Sequence, residues 1–395
     1  MASAAAPVAR SRTLPPERPA PVDATHVVDI TLFFTPTSGG VRRYLLAKHD
    51  WCRRSGRLDH TLVVPGPHSG GLRGEVVSVR GPRLPFGGGY RMPVRMAEVA
   101  GTLARLEPDL IEAGDPFQLA WQSLRVARSR QIPAVAFCHS NLLALASSRF
   151  GSVGGRAASA YLRKVYSGFD LVLAPSQHVA GVLDEAGVQD VMVQPLGVDP
   201  DVMNPALRRP ELWRSLGIAE GAKLLVFAGR MSAEKRVCDL LEAAAWLGPR
   251  FHLLLVGDAR AAWRRENVTT LAYRRDPADL ATILASCDAF VHAGDQETFG
   301  LVALEAMACG LPVIAARAGS FVELVDDTVG GTFRPRDPMD LVRAVGDLFE
   351  RDQGALRAAA RRRAQRYAWD HVFSQLLSRY ARLLGHSPVL ARIEA

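Results

Sequence analysis

Disulfides, membrane spans and dinucleotide fingerprints are all missing from this 395-residue chain. Its five cysteines, Cys52, Cys138, Cys238, Cys287 and Cys309, are scattered and form no C-x-x-C pair. That spacing argues against a disulfide framework or a cysteine-built metal centre, and reads as small core residues in a reducing compartment. No run reaches about 18 uncharged apolar residues, so no transmembrane helix is expected. No G-x-G-x-x-G opens a helix after a strand, which removes the nicotinamide-dinucleotide reading. Neither an aromatic-basic RNP motif nor finger spacing occurs, which argues against nucleic acid as a partner. No Ser-His-Asp order or zinc-ligand spacing stands out. Residues 1–25 are rich in Ala, Pro and Arg but lack an apolar h-region, so they are expected to be a disordered tail rather than a signal peptide.

Apolar residues make up 48% of the chain, ample for the two domains that its length predicts at roughly 100–200 residues each. The formal charge of +8 is uneven. Between Arg53 and Arg95 there are eight arginines and two acids; from Glu350 onward there are nine arginines and four acids. Basic excess attracts phosphate-rich partners. Leu84, Phe86 and Tyr90 are interleaved with the first cluster. That segment is therefore a candidate contact for an anionic membrane surface, with a plain solvated face as the alternative.

Strand-like apolar runs alternate with helical stretches almost throughout. The first series is Val27–Phe34, His60–Val64, Glu75–Val79, Leu110–Glu112, Ala134–Cys138, Leu171–Ala174 and Val191–Gln194. The second is Lys223–Ala228, His252–Val256, Val268–Leu271, Ala289–His292, Pro312–Ala315 and Gly331–Phe333. Continuous apolar strands with helical spacers predict parallel, doubly wound sheets. The periodicity breaks between Leu196 and Pro205. The expected α/β architecture is thus two Rossmann-like domains facing across a cleft, residues 26–200 and 201–370. A final helix in 371–395 would pack back on the first domain.

Ligands of open α/β sheets bind beyond the carboxyl ends of the strands. Polar residues gather at those positions. The sequence Ser38-Gly-Gly-Val41 opens a helix after the first strand, where bare backbone lets a phosphate or sugar come close, although a simple turn reads the same way. His139 follows the Ala134–Cys138 strand; a lone histidine there can orient a ligand or simply fill the core. Arg230 and Lys235 lie at a strand-to-helix junction, where cations oppose the helix dipole and can neutralise a diphosphate. Asp199-Pro-Asp201 is formally D-x-D, but it falls in the interdomain connection with Pro between the acids, so no metal site is expected there.

The stretch from Asp295 to Glu305 is the most informative. Leu301 to Met307 is apolar except for Glu305, and Gly310-Leu-Pro312 ends the helix. Were both Glu297 and Glu305 helical, they would lie about 80° apart. Glu297 is instead expected to precede the helix, with Phe299, Gly300 and Leu301 at its start. The unpaired N–H groups and the positive end of the dipole would then face an anion. A capped amphipathic helix with two solvated acids fits the same residues.

Taken together and in order, these motifs resemble the retaining glycosyltransferases of family 4, which have the GT-B fold. The motifs are Ser38-Gly-Gly-Val41, His139, Ala174-Pro-Ser176, Pro195-Leu-Gly-Val-Asp199, Gly229-Arg230 with Glu234-Lys235, Val256-Gly-Asp258, the E-x7-E of Glu297 and Glu305, Ala306-Met-Ala-Cys-Gly-Leu-Pro312 and Tyr367-Ala-Trp-Asp370. The likeness runs from about Val27 to Leu384. It implies a metal-independent hexosyltransferase without a cofactor, taking a nucleotide diphosphate sugar as co-substrate, UDP-glucose-like or GDP-mannose with a lean to the former. The acceptor would be a hydroxyl of a lipid, glycan or small molecule. It further implies that Glu297 holds the transferred sugar with His139 beside it. Gly300 and Leu301 would give N–H groups to the pyrophosphate, and Glu305 would bind the ribose. Arg230 and Lys235 would stabilise the leaving diphosphate, which Gly40 approaches from the other domain. A cytoplasmic enzyme, peripheral at the inner face of a membrane, is the expected setting. A UDP-sugar 2-epimerase of the same fold and a catalytically silent nucleotide-sugar-binding or membrane-scaffold protein are the rival readings. The chain departs from the family at two places. The segment from Asp258 to Val268 is short, and Tyr273-Arg-Arg-Asp276 replaces a Gly-containing turn near the base.

Overall fold

The computed structural model describes residues 25–35, 39–85, 89–257, 263, 265–274 and 276–385. The expected tail (residues 1–24), Ser38, Phe86, Asp258, Arg275 and the chain beyond Gly385 lie outside the described residues. Seven strands form the first sheet: β1 (His26–Ile30), β2 (Asp59–Gly66), β3 (Val76–Arg80), β4 (Leu110–Ala113), β5 (Ala134–Phe137), β6 (Leu171–Ala174) and β7 (Val191–Val193). Six form the second: β8 (Lys223–Ala228), β9 (Phe251–Gly257), β10 (Val268–Ala272), β11 (Ala289–His292), β12 (Val313–Ala316) and β13 (Gly330–Phe333). Every pairing within both sheets is parallel. Strands such as β9 and β12 are buried along their whole length, because helices cover both faces.

The strand orders are β3-β2-β1-β4-β5-β6-β7 and β10-β9-β8-β11-β12-β13. Each order reverses once, between β1 and β4 in the first sheet and between β8 and β11 in the second. Crevices open at such reversals, beyond the carboxyl ends of the strands. The loops after β1, β8 and β11 are those that carry Gly40, Arg230 and Glu297.

One strand is shorter than its apolar run predicts. Val27–Phe34 pairs only as far as Ile30. The Leu32 N–H turns to Asp115 Oδ2 at 2.7 Å and the Phe33 N–H to Thr31 Oγ1 at 3.0 Å, so side chains replace the ladder. The two acids of the D-x-D motif likewise serve the turn, since Asp199 Oδ1 accepts the N–H groups of Asp201 and Val202 at 2.9 and 3.1 Å.

The helix Trp369–Leu383 packs against the helix Gly40–Ser55 of the first sheet. Beneath it lies a buried polar network. Lys48 Nζ stands 2.8 Å from Asp29, 3.1 Å from Glu112 Oε1 and 2.8 Å from the Tyr380 hydroxyl, which itself donates to Glu112 Oε2. His60 Nε2 is 3.2 Å from Asp29 Oδ2. The chain crosses between the halves near Val198, whose N–H donates to Tyr367 O at 2.9 Å while the Trp369 N–H donates to Val198 O at 3.1 Å. Among the described residues, no helix is long and apolar enough to cross a membrane.

Candidate active site

A cleft opens between the two sheets at their reversal points. Gly39, Gly40 and Arg43 line it from the first half; Gly229, Arg230, Tyr273, Arg274, Leu301 and Val302 line it from the second. The glycines at its mouth are not demanded by protein packing. A Cβ on Gly39 would meet nothing within 4 Å, and one on Gly40 would make ordinary contact with Leu301 at 3.5 Å. Bare backbone there faces open space, which suits close approach of a ligand.

Gly300 is a different case. Its φ of +87° is left-handed, and a Cβ would stand 2.7 Å from the Phe321 ring. Only glycine fits this bend, which turns the chain into the helix Leu301–Ala308. No side chain caps that helix. Its first N–H groups lack intrahelical acceptors and lie at the cleft wall formed by Leu301 and Val302. The local field there favours an anion. Arg230 lines the same cleft with its side chain 58% exposed, 3.7 Å from Glu234.

Glu297 lies just before this helix. Lys235 Nζ, from the 3-10 turn Ala233–Lys235, contacts Glu297 Oε1. His292 at the end of β11 reaches the same oxygen through Nε2, at 3.3 Å. The Gly294 N–H donates to His292 Nδ1 at 3.0 Å, which fixes the tautomer with the proton on Nε2, facing Glu297. Burial, aided by the charge of Lys235, pushes the His292 imidazolium far below its usual range, so the ring is neutral and donates. Burial also lowers the Lys235 ammonium, while Glu234 opposes that shift. The backbone of Glu297 is clamped as well, its carbonyl accepting the Ser320 N–H at 3.0 Å.

Glu305, within the helix, has a side chain only 2% exposed. Arg43 pairs with its Oε1, whereas Oε2 has no partner among the described residues. His139 stacks on Phe137 at 4.2 Å and is almost wholly buried, with no partner for its Nε2 among the described residues. Burial pushes its imidazolium down to about 3, so it works as a neutral ring.

Gly40, Arg230 and Leu301 therefore meet at one cleft, with Gly300 turning the chain into it. Glu305 is tied to that cleft through Arg43. Lys235 parts company with Arg230 and joins Glu297 instead. His139 does not line the cleft and sits behind the strand end. The sequence reading missed Arg43 and His292. His292 ends a strand that the reading had identified, so the carboxyl-end rule applied elsewhere would have found it. Arg43 lies one helical turn past Gly40, but nothing in the sequence says which face of that helix turns toward the second sheet.

Residues 208–367 match the family described as Glycosyl transferases group 1, and residues 38–202 match Glycosyltransferase Family 4. The chain is 30% identical over 373 residues to the GDP-mannose-dependent alpha-(1-6)-phosphatidylinositol dimannoside mannosyltransferase of Mycobacterium tuberculosis, covering 89% of this chain and 95% of the relative. The chain belongs to glycosyltransferase family 4. This family-4 enzyme is also 31% identical over 380 residues to a GDP-mannose-dependent alpha-mannosyltransferase of Mycolicibacterium smegmatis, covering 91% of this chain and 97% of that one. Among solved structures, the sucrose-phosphate synthase of Thermosynechococcus elongatus superposes with a TM-score of 0.74 at 19% identity, over 92% of this chain and 100% of that chain. Anabaena Alr3699/HepE, solved in complex with UDP and glucose, gives 0.69 at 22% identity, over 91% and 100%. Those likenesses fix the GT-B fold. The enzyme is a nucleotide-sugar glycosyltransferase.

Proposed function

We propose that the enzyme transfers mannose, with retention, from GDP-mannose to a hydroxyl of a lipid acceptor. The observation that carries the chemistry is an uncapped helix start and Arg230 at one interdomain cleft, with one cation-paired glutamate just before that helix and another within it. In this reading the diphosphate lies on the N–H groups of Gly300 and Leu301, between Arg230 and the bare backbone of Gly40. Glu305 Oε2 accepts from the ribose. Glu297 holds the mannose, its carboxylate fixed by Lys235 and His292, and His139 stands near the sugar. The anomeric C–O bond to the donor phosphate breaks as the acceptor oxygen bonds to the anomeric carbon on the same face. The acceptor proton passes to the departing phosphate oxygen. Lys235 and Arg230 stabilise the charge that collects on the diphosphate.

The choice of base and sugar rests on the relatives, whose names specify GDP-mannose over about nine-tenths of the chain. It replaces the lean toward UDP-glucose. Arg274 at the cleft adds a physical argument, because its Nε is buried with no partner among the described residues and an arginine fork suits the O6 and N7 acceptors of guanine. Transfer assays with GDP-mannose, GDP-glucose, UDP-glucose and UDP-galactose test the proposal. GDP-mannose is expected to be used at least tenfold better than any UDP-sugar; equal or better use of a UDP-sugar overturns it.

The lipid acceptor brings the enzyme to the inner face of a membrane. The Arg53–Arg95 segment exposes Leu72 and Val94 at 70% and 71%, beside exposed Arg80, Arg83 and Arg95. It suits an anionic lipid surface, with each cation near the surface adding about 1 kcal/mol. Sedimentation with phosphatidylglycerol vesicles is expected to carry the enzyme down at low salt and release it at high salt. Vesicle-independent behaviour at both salt levels refutes the membrane contact.

A further inference from the structure

Arg43 is the cleft cation to which neither motif nor mechanism gives a role. It stands one turn beyond Gly40 on the first half, and its guanidinium pairs with Glu305 on the second. Glu305 is almost completely buried, and a carboxylate so placed is costly without a partner. Arg43 occupies one of its oxygens and leaves Oε2 without a partner among the described residues. The Tyr273 hydroxyl interacts with the same guanidinium. An arginine has five N–H donors, and a carboxylate can accept about four hydrogen bonds, so neither group is exhausted by this pair. Arg43 lines the cleft with Gly40, Arg230 and Leu301, and Glu305 is joined to that cleft through the pair.

We propose that Arg43 is a donor-positioning residue contributed across the interdomain cleft. With one N–H it holds Glu305 ionised and oriented, so that Oε2 faces the ribose hydroxyls. Its remaining N–H groups face the diphosphate beside Arg230. Because the pair joins the two halves, a full donor site exists only when they stand together. This inference rests on the ribose role of Glu305.

The test is calorimetric titration of wild type, Arg43→Gln, Arg43→Lys, Glu305→Gln and the Arg43→Gln/Glu305→Gln double variant. The probes are GDP, guanosine and 2′,3′-dideoxy-GDP, with the uridine series used instead if the wild type binds UDP and not GDP. Arg43→Gln is expected to weaken GDP about 10–100-fold, the effect of losing a charge-assisted hydrogen bond. It should weaken guanosine, which lacks the diphosphate, by a clearly smaller factor. Arg43→Lys keeps the charge but loses the fork, and should fall between wild type and Arg43→Gln. It also supplies the result should Arg43→Gln fail to fold. The double variant should lose less than the product of the single losses, because the two groups act as a pair. Wild-type GDP affinity in Arg43→Gln, or equal weakening of GDP and guanosine, overturns the proposal. If Glu305→Gln still distinguishes GDP from the dideoxy compound as wild type does, the ribose reading itself falls. If that discrimination is lost but Arg43→Gln binds GDP normally, only the role of Arg43 falls.

Discussion

Replacing Lys235 with alanine is expected to lower kcat by about 10²–10³-fold, the scale for removing one preorganised charge stabiliser from an active site. The effect originates at Glu297. Its carboxylate is met on one oxygen by the Lys235 ammonium and by a neutral His292, and all three side chains are largely buried. Without Lys235, the carboxylate keeps only a neutral donor, and in the proposed mechanism the sugar loses its fixed orientation. In that mechanism the cation that offsets charge on the departing diphosphate disappears at the same time. Both losses weigh more on the transition state than on the bound donor, so KM should move far less than kcat. Arginine at this position should recover part of the loss, because it keeps the charge but not the point-like geometry. Steady-state transfer kinetics read the outcome. A Lys235→Ala enzyme with wild-type kcat contradicts the role given to this cluster.

The second large effect concerns the frame rather than the chemistry. Lys48→Met should destabilise the fold by about 3–5 kcal/mol, the range for breaking a buried ion pair from one side. Burial alone would raise the Asp29 carboxyl, yet Lys48 and His60 hold it down at about 2. Glu112 is raised to about 7 by burial, partly offset by Lys48. Removing the ammonium leaves Glu112 buried without a cation and Asp29 with only the His60 ring beside it. Their folded-state affinities for protons then rise above those of the unfolded chain. A group raised in this way stabilises the folded state at low pH and costs stability as the pH climbs past its unfolded value of about 4. The stability gap between variant and wild type should therefore be widest near pH 8 and narrow toward pH 5. Urea denaturation at the two pH values measures it. A gap below 1 kcal/mol at pH 8, or one that widens in acid, counts against the network. The consequence reaches the site, because Tyr380 in this network fastens the Trp369–Leu383 helix to the helix that carries Gly40 and Arg43.

Much of this frame is legible in the sequence. All thirteen described strands overlap apolar runs identified in the sequence, and central strands such as β9 and β12 do so because a strand buried on both faces has little room for polar interruption. The exception in length is instructive. Val27–Phe34 reads as one run, yet its ladder ends at Ile30, where Asp115 supplies an acceptor from 83 residues away that no local pattern reveals. The start of the Leu301–Ala308 helix was legible for a related reason. Gly300, an apolar run and the Gly310-Leu-Pro312 stop are all local signals. Partnerships across the cleft were not. Arg230 and Lys235 look like one cationic pair in sequence, but their side chains divide between the open cleft and Glu297. Arg43 and His292 gain meaning only when two sheets, far apart in the chain, bring their strand ends together.

The central claim is that one nucleotide spans Glu305 and the start of the Leu301–Ala308 helix. A crystal structure of the enzyme grown with GDP tests it most directly. The account predicts phosphate oxygens within hydrogen-bond reach of the Leu301 N–H and the Arg230 guanidinium, with a ribose hydroxyl on Glu305 Oε2. A nucleotide bound with its ribose away from Glu305, or with its phosphates off the start of the Leu301–Ala308 helix, would contradict it.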